Sequence, residues 1–172
     1  MKPQAILLSA AALLLAPVSN AHSQTGPRAF SFNADPISGA GTAKVFLTGG
    51  GVFDPATGFI KGGGAFRCLA DINQGPLAGC KAGEGIRWDV KQLLVSTGFK
   101  CTTNASEAGK TAFTDAQDVV ILADFYRQGD GVNESFTARM IVSSRNLAPD
   151  LPGNSNVWLQ GVGCADAKVN LR

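Results

Sequence analysis

Residues 118–143, DVVILADFYRQGDGVNESFTARMIVS, hold two β-prone runs on either side of a turn. Val119 to Tyr126 is apolar and rich in β-branched and aromatic residues, with Asp124 its one charge. Phe136, Ala138, Met140 and Val142 alternate with Thr137, Arg139 and Ile141, the period-two pattern of a strand. Gly129, Asp130, Gly131 and Asn133 between them favour a turn, so the stretch reads as an antiparallel hairpin. The first strand sets Val119, Ile121, Ala123 and Phe125 against Val120, Leu122, Asp124 and Tyr126. Both faces are largely apolar, which marks a central strand or one lining a filled interior.

The chain begins with Lys2, an apolar run from Ala5 to Val18 and the small-x-small site Ser19-Asn20-Ala21. These are the parts of a secretory signal peptide cleaved after Ala21, giving a secreted or periplasmic protein. No apolar run is long enough for a helix to span a bilayer. Residues 22–27 read as a flexible leader and 28–172 as a single β domain. With Lys+Arg 15 against Asp+Glu 13, the chain is close to neutral and has no basic run, which argues against nucleic acid as a partner.

Cys68, Cys80, Cys101 and Cys164 make an even count, and in an exported chain that means two disulfides. The Gly-Pro turn in INQGPLAG favours Cys68–Cys80, leaving Cys101–Cys164. No C-x2-C pair and no usable histidine accompany them, so no zinc site is expected.

Outside the hairpin, RAFSFN (residues 28–33) is a short strand, and Asp35-Pro36 through Gly41 a loop. Thr42–Asp54 and Phe59–Ala70 are strands joined by the turn Asp54-Pro55-Ala56-Thr57-Gly58. Each carries a glycine triplet, Gly49-Gly50-Gly51 and Gly62-Gly63-Gly64, at similar distances from the turn, so the triplets are expected to face each other. Glycines inside strands mark bends or close backbone approach; no phosphate-loop pattern follows them. Within residues 86–99, Asp89 and Gln92 form a capping-box pattern and Gly98 a stop, allowing at most one short helix near 89–97. The alternation of Ile86, Trp88 and Val90 is the competing strand pattern. Residues 101–118 read as polar loop, 146–156 as a proline-rich turn, and 157–171 as one long alternating strand. About seven short strands make an all-β protein, an antiparallel barrel of six to eight strands or a β-sandwich, with the strand glycines favouring the barrel.

The runs WDVKQLLVSTGFKC, ADFYRQGDGVNESFTARMIV and WLQGVGC resemble those of small secreted bacterial proteins of uncharacterised activity, a resemblance that implies export and no chemistry. The glycine-bent strands are similar in architecture to the barrels of allene oxide cyclase and dirigent proteins, with no shared motif.

The one histidine, His22, lies in the leader, which removes Ser-His-Asp and Cys-His mechanisms and histidine metal sites. Asp124, Tyr126, Arg127 and Arg139 form the one catalytic constellation worth naming, an acid in an apolar strand near a phenol and two arginines. Asp130, Asn133 and Glu134 lack the spacing of a calcium loop. Trp88, Trp158 and Tyr126 are candidates for stacking on a ligand. No cofactor is implied. The sequence thus reads as a non-enzymatic exported domain that binds a small apolar ligand or an extracellular protein. A cyclase, isomerase or glycosidase working with carboxylates and Tyr is one alternative, and a structural module another. Non-reducing mass spectrometry of the exported protein is expected to give residues 22–172 less two hydrogens per disulfide. A retained leader or an absent deficit would contradict this reading.

Overall fold

The computed structural model describes residues 26–127 and 136–172. Residues 1–21, expected to be a signal peptide, most of the expected leader 22–27, and Asp130, Asn133 and Glu134 of the expected turn fall outside them. Eleven strands and no helix occur among the described residues: β1 (Arg28–Gly39), β2 (Lys44–Asp54), β3 (Phe59–Cys68), β4 (Arg87–Leu93), β5 (Ser96–Phe99), β6 (Lys110–Phe113), β7 (Asp118–Tyr126), β8 (Phe136–Ser143), β9 (Val157–Leu159), β10 (Gly163–Ala165) and β11 (Lys168–Leu171). Neighbours pair antiparallel in the order β1-β2-β3-β4-β7-β8-β9-β10, and β10 returns to β1 through Ser38↔Cys164 and Gly39↔Gly163. One sheet of eight antiparallel strands therefore closes on itself, and the two-sheet sandwich is excluded. β11 lies along the other half of β1, and β5 pairs with β6 as a separate ribbon.

The glycine triplets meet as expected: Gly49 faces Gly64, Gly50 faces Gly63 and Gly51 faces Gly62. They do not break their strands, since pairing runs without interruption from Val45↔Cys68 to Asp54↔Phe59. Phe32, Gly49, Gly64 and Trp88 form one inward row across β1, β2, β3 and β4. Three strand spacings of about 4.8 Å would hold Phe32 and Trp88 some 14 Å apart at the backbone. Their rings nevertheless lie 6.0 Å apart, because the two glycines leave the space between them empty. A Cβ on Gly49 would stand 2.6 Å from Trp88 Cζ2, and one on Gly64 would collide with the Thr48 carbonyl oxygen. Trp88 lies fully buried over this gap and donates from Nε1 to that same oxygen at 3.0 Å.

Phe30, Phe53, Phe66, Phe125, Leu47, Ile121, Met140 and Leu159 fill the rest of the ring, and Phe66 meets Phe125 edge-on at 5.0 Å. The loop 69–85 folds Ile72 and Leu77 into the same core and is tied by Cys68–Cys80. A second cluster lies outside the ring. Val120, Ile141 and Trp158 point outward from β7, β8 and β9, yet are covered by Phe99 and Ala112 of the β5–β6 ribbon and by Ala148. That cover explains the two apolar faces of β7. Cys101–Cys164 pins it to the seam where β10 meets β1.

Four sequence expectations need correction. Residues 89–97 hold no helix but the end of β4, a break at 94–95 and the start of β5: the Ile86, Trp88, Val90 alternation prevails because Arg87–Leu93 finds β7 as a partner, with a bulge at Lys91. The long strand 157–171 breaks into β9, β10 and β11, because Gly161 turns at φ 79° and sends the chain back along β1. The loop expected from Asp35-Pro36 is instead a bulge between Ala34 and Ile37, beyond which β1 continues to Gly39. The polar stretch 101–118 contains β6.

Gly64→Ala is expected to lower the unfolding free energy by roughly 1–3 kcal/mol, as overpacking does in a tight core. Gly109→Ala, at a loop glycine with open space around it, should change it by less than about 0.5 kcal/mol. Urea denaturation of both variants makes the comparison.

Candidate functional site

Asp124 lies on the outer face of β7, opposite Asp89 of β4 and Thr137 of β8. Two carboxylates face to face would repel, but each has its own cation. Arg87 reaches Asp89 at 3.2 Å and Lys91 reaches Asp124 at 3.3 Å. The Thr137 hydroxyl also donates to Asp124 at 2.9 Å. The Arg87 guanidinium covers the Tyr126 ring at 4.6 Å. Arg127 leaves the expected constellation. Arg127 donates to Glu84 at 2.8 Å and to the Gly79 carbonyl, tying β7 to the loop 69–85. That arginine's hydrogen bond, with the Lys81 amide beside it, holds the Glu84 carboxyl below its usual range. The exposed Arg139 bonds to Gln160 through its backbone. Asp124 and Tyr126 thus share a face with Arg139, which lies opposite Leu122 on β8, while the Arg127 side chain is engaged by Glu84 and Gly79.

Both tryptophans are buried. Trp88 is sealed inside the ring. Trp158 is 5% exposed under the β5–β6 ribbon, its Nε1 donating to the Lys100 carbonyl and its ring 5.8 Å from Phe99. Both indole nitrogens find backbone acceptors inside the fold.

Two buried acids were not singled out from the sequence. Asp118 accepts from the Ser143 hydroxyl and takes both Nε and Nη2 of Arg145, which also reaches Asp115 at 2.7 Å. Glu107 is 6% exposed and gathers the amides of Cys101 and Thr102, the Thr102 hydroxyl and Lys110. Burial alone would raise its pKa; these donors outweigh it and bring it down to about 2. The anchored loop leads directly to Cys101. The cleft beside it, about 310 Å³ and lined by Phe113, Lys110, Arg145 and Leu147, has both its cations consumed by ion pairs.

A cleft of about 410 Å³ differs in this respect. It lies on the outer face of β1–β3, where Asp35, Phe46, Arg67, Leu69, Gly85 and Ile86 converge. Phe46 faces Arg67 across β2 and β3, and the β1 bulge sets Asp35 and Pro36 on the other flank of Phe46. Leu69 and Ile86 are apolar yet 42% and 47% exposed. Among the described residues, neither Asp35 nor Arg67 has a salt bridge or a side-chain hydrogen bond. The signal for this site was present in the hairpin: once Gly49 is paired with Gly64, counting three residues outward pairs Phe46 with Arg67.

Comparison with protein-family models, curated proteins and solved structures found no match. The class is therefore defined by architecture, a closed ring of eight antiparallel strands with two disulfides and a ribbon over part of its outer face.

The Glu107 carboxylate contributes stability that is full above its unfolded pKa near 4.5 and is lost as pH falls toward about 2. Glu107→Gln is expected to remove up to about 3 kcal/mol at neutral pH and to flatten the acid limb of the stability curve. Denaturation midpoints taken from pH 7 to pH 2 check this. An acid limb that is unchanged in the variant would show that Glu107 does not carry it.

Proposed function

We propose that this chain is an exported, non-enzymatic binding domain that holds a small ligand in the outer cleft between Phe46, Leu69 and Ile86. The observation that carries this reading is the pairing of exposed apolar side chains with two charges that have no partner in the fold. Folded proteins bury such apolar groups or use them, and ligand sites combine an apolar lining with a few polar groups. The interior offers no comparable room, since Trp88, Phe53, Phe66, Phe125 and Met140 fill it. The small apolar ligand expected from the sequence is thus assigned to the outer surface. The signal-peptide pattern of residues 1–21 supports export, and the two disulfides fit an oxidising compartment.

Titration of the isotope-labelled protein with cyclohexanol, a neutral apolar probe, is expected to move the amide resonances of Phe46, Leu69 and Ile86. Ile86→Glu should abolish those shifts while the rest of the spectrum stays dispersed. Shifts confined to other surfaces, or none in the cleft with any small-ligand probe, would remove the proposal.

A further inference from the structure

Asp35, Phe46 and Arg67 stand side by side on three adjacent strands, β1, β2 and β3. Two strand spacings place the backbones of Asp35 and Arg67 about 10 Å apart, with the half-buried ring of Phe46 between them. A carboxylate at one end, a guanidinium at the other and an apolar floor define a complementary ligand: an ammonium, an apolar body and a carboxylate, in that order. The guanidinium fork suits a carboxylate in particular.

The spacing selects among zwitterions. A free amino acid carries both charges on one carbon and cannot reach both ends. An extended peptide advances about 3.3 Å per residue, so two or three residues span the gap. The cleft volume of about 410 Å³ lies in the range of small-ligand sites. The bulge contributes to the selection, because it interrupts the β1–β2 register at Asp35 and re-aims that side chain.

Building on the binding role proposed above, we infer that the cleft takes short zwitterionic peptides of two or three residues with an apolar side chain. The peptide ammonium is held by Asp35, its carboxylate by Arg67, and the side chain rests against Phe46, Leu69 and Ile86.

The test uses the disulfide-intact protein and the peptide Ala-Leu-Ala, followed by amide shifts in the cleft. Four further probes accompany it: the N-acetyl form, the C-amide form, the doubly blocked form and free leucine. Ala-Leu-Ala is expected to shift the amides of Asp35, Phe46, Arg67 and Ile86. Each single block should weaken binding about tenfold, as loss of one charge-assisted contact does. Free leucine should bind more weakly than the tripeptide. Asp35→Asn should remove the penalty for N-acetylation, and Arg67→Gln that for amidation, which a merely structural role for either residue would not do. If the doubly blocked peptide binds as well as the zwitterion, or cyclohexanol binds in the cleft and no peptide does, this inference is overturned while the binding role stands. If neither peptides nor cyclohexanol shift the cleft, both fall.

Discussion

The contact between Trp88 and the paired glycines of β2 and β3 is the constraint from which the ring is built. Gly49 and Gly64 lack side chains in a place where any Cβ would strike backbone or the indole. Because they are bare, aromatic rings from β1 and β4 reach over two strands and meet. The sheet can then curl tightly enough to bring its two ends together. The indole nitrogen fixes the arrangement through the Thr48 carbonyl, so the same contact satisfies a buried donor and sets the ring's orientation. Large side chains supply apolar burial elsewhere in the core; here the glycines supply the room for it.

Closure then determines what the outer surface has to do. A closed ring has no long open edge, which removes the usual hazard of an exposed strand. It also turns half of every strand outward. Over β7, β8 and β9 that outward half is apolar, and the β5–β6 ribbon covers it, held by Cys101–Cys164 and by Glu107. Over β1, β2 and β3 no such cover exists among the described residues, and Val52, Phe59 and the cleft residues Phe46, Leu69 and Ile86 stand among outward residues that are otherwise mostly small or polar. The two sides of one ring thus differ in kind, one sealed by its own chain and the other without such a cover among the described residues.

The candidate site shows how unevenly a sequence displays its chemistry. Asp124 drew notice because it stands alone in an apolar run, yet its carboxylate is occupied by Lys91 and Thr137. The tryptophans drew notice by size and proved to be interior packing. Asp35 and Arg67 looked ordinary in loop and strand. Their significance depends on register and on a bulge, which bring residues thirty positions apart onto one face. Asp118 and Glu107 were hidden for a similar reason: an acid looks solvated in a sequence until its donors, drawn from loops and distant strands, are folded around it.

By itself the sequence determined the features set by local chemistry. The period-two runs made strands, the Asp54-Pro55 turn set the β2–β3 register, and that register paired the glycines. The Gly-Pro loop brought Cys68 to Cys80, which left Cys101 for Cys164. Tertiary structure decided whatever needed a distant partner. Residues 86–99 carried both a helix pattern and a strand pattern, and the open edge of β7 chose the strand. Closure of β1 on β10 joins residues over a hundred positions apart, and no local periodicity encodes it. The split of 157–171 into three strands follows from that closure, because Gly161 must turn the chain for β10 and β11 to lie along β1. Alternation defines which faces a strand has, and only its neighbours in space determine what each face meets.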